Sequence, residues 1–268
     1  MPNWNNKVVV VTGGSEGLGK AIGLAFADAG ATTVLLARDS TKLQKVVDES
    51  SSNQSIETQV CDVTNDQSVT HAIGEIIAKH GQIDVWVNNV GKSTRAKLDE
   101  CTVDDFKNLI EINFYSTVRC TQAVLKHLEN SAGQVVNIGS LAAKTGWPNV
   151  APYSVSKHAL AAYSHQLRIE GPSSVNCLFV CTGPIQRADS STRYEKESSG
   201  LGDTAKQPGA GVKLKGIPPE KLALRIVTAC ERRKKDLVMP FSARVLFAIA
   251  QLSPSLGDYL LRRSSKEK

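Results

Sequence analysis

The stretch that decides the fold is Lys7-Val-Val-Val-Val-Thr12-Gly13-Gly14-Ser15-Glu16-Gly17-Leu18-Gly19. Its β-branched run predicts a buried strand, and the glycines lead directly into a helical pattern. Glycines there let the backbone turn tightly, and the helix that follows offers free N–H groups to a phosphate. A tight turn alone explains one glycine but not four in seven residues. The predicted dinucleotide-binding residues are Gly13, Ser15, Gly17, Leu18 and Gly19.

Strand and helix patterns alternate along the rest of the chain. Short β-branched runs predict strands at 7–12, 33–37, 56–61, 83–88, 134–138, 175–180 and 236–240. Helical spacing lies near 18–29, 41–50, 66–80, 103–130, 151–170 and 219–232. This alternation predicts right-handed βαβ units. The predicted fold is α/β: a single-domain, Rossmann-like, doubly wound parallel sheet of about seven strands over residues 1–268, with helices on both faces.

Composition excludes a secreted disulfide scaffold, a transmembrane protein and a fibrous repeat. Of 268 residues 41% are apolar, the formal net charge is only +6, and six scattered cysteines form no Cys-x-x-Cys pair. No apolar run approaches the ~20 residues of a spanning helix, and no secretory signal is expected. We therefore predict a cytoplasmic protein with reduced cysteines. The five histidines have no metal-ligand spacing, so no metal site is expected.

Three segments near the end of the chain have more than one interpretation. Residues 186–216 are rich in Ser, Gly, Lys and Asp, which favours a mobile substrate flap over a loop without a role. Residues 241–268 are amphipathic and basic: they lie on an anionic membrane surface, or they pack on the core or a partner subunit while the basic tail is solvated. The basic run 232–235 is interpreted as a solvated helix end, and no nucleic-acid partner is expected.

The end of the second strand predicts which cofactor is preferred. About 20 residues beyond the glycines, a carboxylate would bind the ribose hydroxyls of NAD, whereas an arginine would pair with the 2′-phosphate of NADP. Arg38 occupies this region and favours NADP(H). Asp39 either accepts from the ribose or caps the next helix, and the cap is the favoured interpretation.

Ser140, Tyr153 and Lys157 are the candidate catalytic residues. Ser140 follows a predicted strand, and Tyr153 and Lys157 are four residues apart on one helix face. A phenol with a pKa near 10 is a poor acid or base at neutral pH, but a neighbouring ammonium stabilises its phenolate. A Tyr-x3-Lys pair alone means little. Its place thirteen residues after a strand-terminal serine, downstream of a glycine turn, indicates proton transfer.

With these motifs, residues 5–185 resemble the short-chain dehydrogenase/reductase family, in its compact single-domain branch. The resemblance implies that Tyr153 donates or accepts the proton, Ser140 orients the carbonyl and Lys157 binds the nicotinamide ribose. It also implies that Asn113 supports a proton-relay water. The cofactor residues it implies are Asp62 and Val63 at the adenine, Asn89 and Gly91 from the Asn88-Asn89-Val90-Gly91 motif, and Ile185 at the carboxamide. Two positions depart from the family pattern, Thr182 before Gly183 and Arg187.

The predicted function is NADP-dependent interconversion of a ketone and a secondary alcohol by hydride transfer. The substrate is expected to be a small carbonyl or alcohol compound. The walls of its site are expected from residues 92–96, from the 186–216 flap and from Trp147, for which a purely packing role is an equal alternative. The C-terminus loosely resembles lipid-handling members such as 3-ketodihydrosphingosine reductase and acyl-dihydroxyacetone-phosphate reductase, so a lipid or long-chain substrate is one possibility. The alternative is a non-catalytic NADP-binding redox sensor or regulator. The family resemblance also implies a homodimer or homotetramer that pairs through the helices predicted at 103–130 and 151–170.

Overall fold

A computed structural model describes residues 4–51, 55–186, 201, 209 and 214–264. Its centre is one seven-stranded parallel sheet in the order β3-β2-β1-β4-β5-β6-β7. The strands are β1 (Val8–Thr12), β2 (Thr32–Ala37), β3 (Ile56–Val60), β4 (Val85–Asn88), β5 (Gln134–Ile138), β6 (Asn176–Thr182) and β7 (Asp236–Met239). The strand order reverses between β1 and β4. Ligands of open parallel sheets bind outside the carboxyl ends of the strands at such a point.

Helices cover both faces of the sheet, which confirms the predicted doubly wound fold. They are α1 (Gly17–Asp28), α2 (Ser40–Asp48), α3 (Asp66–His80), α4 (Val103–Ile110), α5 (Ser116–Asn130), α6 (Ala151–Glu170), α7 (Pro219–Glu231), α8 (Ala243–Leu252) and α9 (Pro254–Ser264). Short 3-10 turns lie at Leu98–Glu100 and Leu141–Ala143.

Side chains of β1 point alternately to the two faces of the sheet and so belong to two separate parts of the core. Val9 and Val11 pack with α1, α2 and α7, whereas Val8 and Val10 pack with α3 and α5. Successive strand residues point to opposite faces, so an uninterrupted valine run is the pattern of a strand buried on both sides. The resulting rigid sheet fixes the positions of the loops at its carboxyl edge.

The predicted helix 103–130 needs correction, because α4 and α5 are separated by a π turn at Glu111–Tyr115. Asn113 lies within this turn and is fully buried. The wider turn changes the helical register, and the Asn113 side chain bonds the backbone of Lys92 after β4. Apolar spacing does not reveal an insertion of this kind.

The C-terminal segment forms two helices, α8 and α9, rather than one. Ser253 has an extended backbone and α9 begins at Pro254, because proline cannot continue the hydrogen bonding of the preceding helix. Ala243 and Phe247 of α8 pack on the core beside Phe179. Within the described residues, no helix combines the length and apolarity needed to cross a membrane. The predicted flap at 186–216 lies outside the described residues except for Gln186, Leu201, Gly209 and 214–216.

Candidate active site

The glycine turn between β1 and α1 has the geometry of a phosphate-binding loop. Gly13 and Gly17 adopt positive φ values of 65° and 55°, a region that disfavours side chains. A Cβ at Gly19 would collide with the carbonyl oxygen of Gly13, so α1 approaches the turn as closely as a glycine allows. At Gly17 nothing lies within 4 Å of the Cβ position, which leaves the start of α1 open. A dinucleotide pyrophosphate therefore fits at this helix N-terminus.

Asn89 ties this turn to the end of β4. Its side-chain amide donates to the carbonyl oxygens of Thr12 at 3.0 Å and Gly13 at 3.2 Å. Its backbone N–H donates to Thr12 Oγ1 at 2.9 Å, and that hydroxyl donates to the Val87 carbonyl. These bonds hold the glycine turn against the neighbouring strand.

At the end of β2, the Asp39 carboxylate accepts from the backbone N–H of Lys42 at 3.0 Å and caps α2, the interpretation favoured above. Arg38 is exposed at the strand end. The two neighbours therefore differ in role, because one carboxylate is engaged by a helix while the adjacent guanidinium faces the surface.

Asp62 and Val63 follow β3 at the same edge of the sheet. Asp62 Oδ1 accepts from the backbone N–H of Thr64 at 2.9 Å and from its hydroxyl at 2.7 Å. Partial burial opposes ionisation, but these bonds and the charges of Arg38 and Arg119 outweigh it and lower the Asp62 pKa. Val63 is buried in the core. A fixed carboxylate thus lies beyond Arg38 on the adenosine side expected from the family.

Ser140, Tyr153 and Lys157 line one cavity at the carboxyl edge of the sheet. The Ser140 hydroxyl oxygen accepts from the Ala142 backbone N–H at 3.1 Å, which orients it at the start of a 3-10 turn. Lys157 Nζ lies 5.9 Å from the centroid of the Tyr153 ring and donates to the Ile138 carbonyl at 2.8 Å. Burial lowers the pKa of Lys157 to about 8.

Asn113 and Gly91 connect this triad to the loop after β4. The Asn113 amide donates to the Lys92 carbonyl at 2.8 Å and to Ser156 Oγ at 2.9 Å. The Ser156 hydroxyl in turn donates to the Tyr153 carbonyl at 2.7 Å. A Cβ at Gly91 would lie 3.1 Å from Asn113 Oδ1 and 3.4 Å from Lys157 Nζ, so only a small residue fits beside the ammonium.

The structure gathers some of the predicted residues into the cavity and leaves others along the sheet edge. Residues from the prediction that line the cavity are Leu18, Asn89, Gly91, Ser140, Tyr153, Lys157 and Ile185. Ile185 is fixed by the backbone bond from Gln186 N–H to the Ile217 carbonyl. The other residues lie along the sheet edge: Gly13, Ser15, Gly17 and Gly19 follow β1, Arg38 follows β2, and Asp62 and Val63 follow β3. Asn113 lies behind the loop after β4 and bonds its backbone. Arg187 lies outside the described residues.

Comparison with known proteins decides the family. The model of the short chain dehydrogenase family matches residues 7–198, more than half of the chain. The chain belongs to the short chain dehydrogenase family. It is therefore an oxidoreductase of the NAD(P)-dependent type, whose members act on small molecules through CH-OH or C=O groups.

Similar members of the short chain dehydrogenase family come from animals and bacteria. "Dehydrogenase/reductase SDR family member 7B" of Danio rerio is 33% identical over 97% of this chain and 82% of its own. A "3beta-hydroxysteroid dehydrogenase" of Mediterraneibacter gnavus is 31% identical over 68% of this chain and 67% of its own. The crystal structure of a short-chain dehydrogenase from Streptomyces avermitilis, 27% identical, superposes with a TM-score of 0.78 over 96% of both chains.

The walls of the cavity include residues that the sequence indicated and one that it did not. Trp147 lines the cavity, as do Lys92 and Ser93 of the expected wall 92–96. Arg95 lines it as well, although the residue is only 5% exposed. An arginine three residues after an Asn-Asn-Val-Gly-Lys loop gives no sequence signal that separates a surface charge from a buried one.

Burial of Lys157 predicts a pH-dependent stability. Its pKa in the folded chain, about 8, lies below the ordinary 10.5. Below pH 8 the buried ammonium therefore opposes folding, and between about 8 and 10.5 the unfolded chain holds the extra proton, so stability rises with pH. We expect urea unfolding of the ligand-free wild type to show this rise relative to Lys157→Met. The exposed control Lys221→Met should follow the wild type, and parallel curves for wild type and Lys157→Met would contradict the prediction.

Proposed function

We propose that this protein is an NADP-dependent oxidoreductase that interconverts a ketone and a secondary alcohol. The observation that carries the proposal is the placement of Tyr153, Lys157 and Ser140 in one cavity at the switch point of the sheet. The open start of α1 supplies a fitting cradle for a pyrophosphate next to that cavity.

The residues that would hold the dinucleotide follow the carboxyl edge of the sheet. The glycine turn would take the pyrophosphate, Ser15 the same 2′-phosphate as Arg38, Asp62 and Val63 the adenine, and Asn89, Gly91 and Ile185 the nicotinamide side. When bound, the cofactor supplies or accepts the hydride. Lys157 would contact the nicotinamide ribose as well as tuning Tyr153.

Tyr153 handles the proton at the substrate oxygen. In reduction its hydroxyl donates the proton, and in oxidation its phenolate removes it. Because the Lys157 pKa is about 8, its ammonium predominates at neutral pH and favours the phenolate. The Ser140 hydroxyl would donate a hydrogen bond to the same oxygen and hold the carbonyl in place. Asn113 bonds Lys92 and Ser156 and thereby joins the loop after β4 to the first turns of α6 beside this site.

Arg38 supports preference for NADP(H). It is an exposed cation at the end of β2, and Asp39 beside it is engaged as a helix cap. A charge-assisted bond to the 2′-phosphate contributes roughly 1.5–3 kcal/mol, or about one to two orders of magnitude in affinity. We expect Arg38→Ala to lose this margin for NADP+ and to leave NAD+ affinity nearly unchanged.

Calorimetric titration of both cofactors into wild type, Arg38→Ala and the exposed control Arg225→Ala measures this difference. Arg225 lies on α7, away from the glycine turn in sequence, and its variant should retain the preference. Equal affinities of the wild type for the two cofactors would overturn the assignment, as would unchanged NADP+ affinity in Arg38→Ala.

We also propose a cytoplasmic location and a homodimer or homotetramer. All six cysteines are free thiols, and five of them are buried, which suits a reducing compartment. Exposed apolar side chains on the predicted pairing helices support assembly: Val103 of α4 is 70% exposed and Val155 of α6 is 47% exposed. Pairing through a two-fold axis would cover them on both subunits.

For α8 we propose peripheral contact with an anionic membrane and, with it, a lipid or long-chain substrate. Phe241, in the turn just before α8, is 74% exposed, and Val245 and Leu252 of α8 are 60% and 87% exposed. The seven-residue spacing of Val245 and Leu252 places them on one helix face. Arg262 and Arg263 of α9 add exposed positive charge. An apolar face with basic neighbours is typical of helices that lie in the membrane interface.

Liposome sedimentation tests the membrane contact. The wild type should sediment with anionic vesicles at low salt, sediment less at high salt, and stay in solution with neutral vesicles. The double variant Phe241→Gln/Leu252→Gln should lose most of the binding, whereas Leu98→Gln, which removes an equally exposed apolar residue elsewhere, should keep it. Absence of salt-sensitive sedimentation, or full binding by the double variant, would leave packing on a partner subunit as the role of this face.

A further inference from the structure

Arg119 bonds three separate parts of the chain beside the proposed cofactor site. It lies near the start of α5, and its side chain is only 18% exposed. Nε donates to Asp66 Oδ1 at 2.7 Å, Nη1 donates to the Val63 carbonyl at 3.1 Å, and Nη2 donates to Glu111 Oε1 at 3.2 Å. A guanidinium stays ionised and presents its N–H donors in a rigid planar fork, so these bonds fix the positions of the three acceptors relative to one another.

The first two acceptors lie in or directly after the loop between β3 and α3, residues 61–65, called the adenine loop below. This loop contains Asp62 and Val63, the residues proposed above to hold the adenine. Asp62 Oδ1 accepts from the backbone N–H and the hydroxyl of Thr64, which gives the loop its local shape. The bond from Arg119 to the Val63 carbonyl then ties the loop to α5.

The third acceptor, Glu111, is the first residue of the π turn that carries Asn113. The Asn113 amide donates to Ser156 Oγ of α6, and the Ser156 hydroxyl donates to the Tyr153 carbonyl at 2.7 Å. Through Glu111, Arg119 therefore connects the adenine loop to the turn that supports the catalytic helix α6.

Arg119 itself has no direct contact with the reaction site. All three of its side-chain nitrogens donate to protein acceptors, and it is not among the residues that line the cavity. It can act on the cofactor only through the residues that it holds. Contact residues of a binding site need to stay within about 0.5 Å of their productive positions, and hydrogen bonds from the residues behind them provide this restraint.

We propose that Arg119 is a positioning residue for the cofactor, which sets the affinity for the adenosine half of the dinucleotide by holding the adenine loop against α5. This inference rests on the proposed function, because it takes Asp62 and Val63 as the adenine contacts, and it adds a residue that acts behind them. Arg38 would contact only the 2′-phosphate of NADP(H). Arg119 should instead matter equally for NADP+ and NAD+, since the adenine is the same in both.

Calorimetric titration of NADP+, NAD+ and AMP into wild type and Arg119→Met tests the proposal. We expect the variant to bind all three ligands at least about tenfold more weakly, by a common factor, and to keep kcat at saturating NADPH within about twofold of the wild type. A merely structural role would lower the fraction of folded protein and leave the three dissociation constants unchanged. Lys126→Met removes an exposed cation and its pairing with Glu129 on the same helix, and it should bind like the wild type.

The AMP titration separates this inference from the proposed activity. Tighter AMP binding by the wild type than by Arg119→Met supports the inference even if no ketone is reduced. Equal AMP affinity of the two proteins overturns it even if NADPH reduces ketones, and a wild type that binds neither AMP nor a dinucleotide overturns both proposals. If Arg119→Met does not fold, Arg119→Lys decides in its place, because lysine keeps the charge but lacks the planar fork. Weaker AMP binding by that variant supports the inference, and undiminished binding overturns it.

Discussion

Tyr153→Phe is expected to lower kcat/KM for carbonyl reduction by about 100-fold or more while leaving NADP+ affinity nearly unchanged. The substitution removes one oxygen and keeps the ring that lies 5.9 Å from Lys157 Nζ. General acid–base catalysis contributes typically about 10²–10⁴-fold, and among the described residues Tyr153 is the one tyrosine that lines the cavity. Initial rates and a cofactor titration on the same preparation separate loss of chemistry from loss of binding.

Tyr163→Phe provides the matched control for this experiment. Tyr163 lies on the same helix, and the same atom is removed, but its ring packs against Phe114 rather than lining the cavity. It should keep most of its turnover. If Tyr153→Phe retains more than a few per cent of wild-type activity, Tyr153 is not the proton donor and the proposed chemistry is wrong.

Gly19→Ala is the second substitution with a large expected effect. The new methyl group would meet the Gly13 carbonyl oxygen and the Asn89 amide, both held in place by hydrogen bonds at the end of β1. Separating α1 from the turn should destabilise the fold by about 1–3 kcal/mol, the usual cost of overpacking. It should also weaken NADP+ binding at least about tenfold, because the backbone amides at the start of α1 move.

Gly74→Ala distinguishes this effect from a general effect of adding a methyl group. Gly74 lies in the middle of α3 with nothing within 4 Å of its Cβ position. Alanine there should stabilise the helix by about 0.5–1 kcal/mol and leave cofactor binding intact. Urea unfolding and NADP+ titration measure both quantities. A Gly19→Ala protein as stable as Gly74→Ala, with unchanged NADP+ affinity, would contradict the close packing of α1 on the turn.

The sheet was predictable because its signals are local. Most strands are short runs rich in apolar residues, and burial on both faces makes such a run continuous, as in Val8–Val11. The glycine turn and the Tyr153–Lys157 spacing are also local patterns. The π turn around Asn113 was not predictable, since it depends on a bond to Lys92 twenty-one residues away in the chain.

The buried charge of Arg95 in the cavity wall was likewise not predictable from the sequence. The sequence predicted residues 92–96 in the wall, but it did not show that Arg95 is buried there, in a loop whose Ala96 N–H bonds the distant Asn149 carbonyl. The break between α8 and α9 was visible as Pro254, yet the division of α8 into a core face and an exposed face required the packing of Phe247 beside Phe179. Contacts between distant segments decided each of these features.

Transfer of deuterium from NADPH labelled at C4 of the nicotinamide ring tests the central claim most directly. A panel of ketones, keto acids included, is incubated with wild type and Tyr153→Phe, and each alcohol is analysed by mass spectrometry. Our account predicts a wild-type product with deuterium on the carbinol carbon, formed at least about 100-fold more slowly by Tyr153→Phe. Wild-type protein that binds NADPH yet forms no labelled alcohol from any member of the panel would contradict the account and favour the non-catalytic sensor.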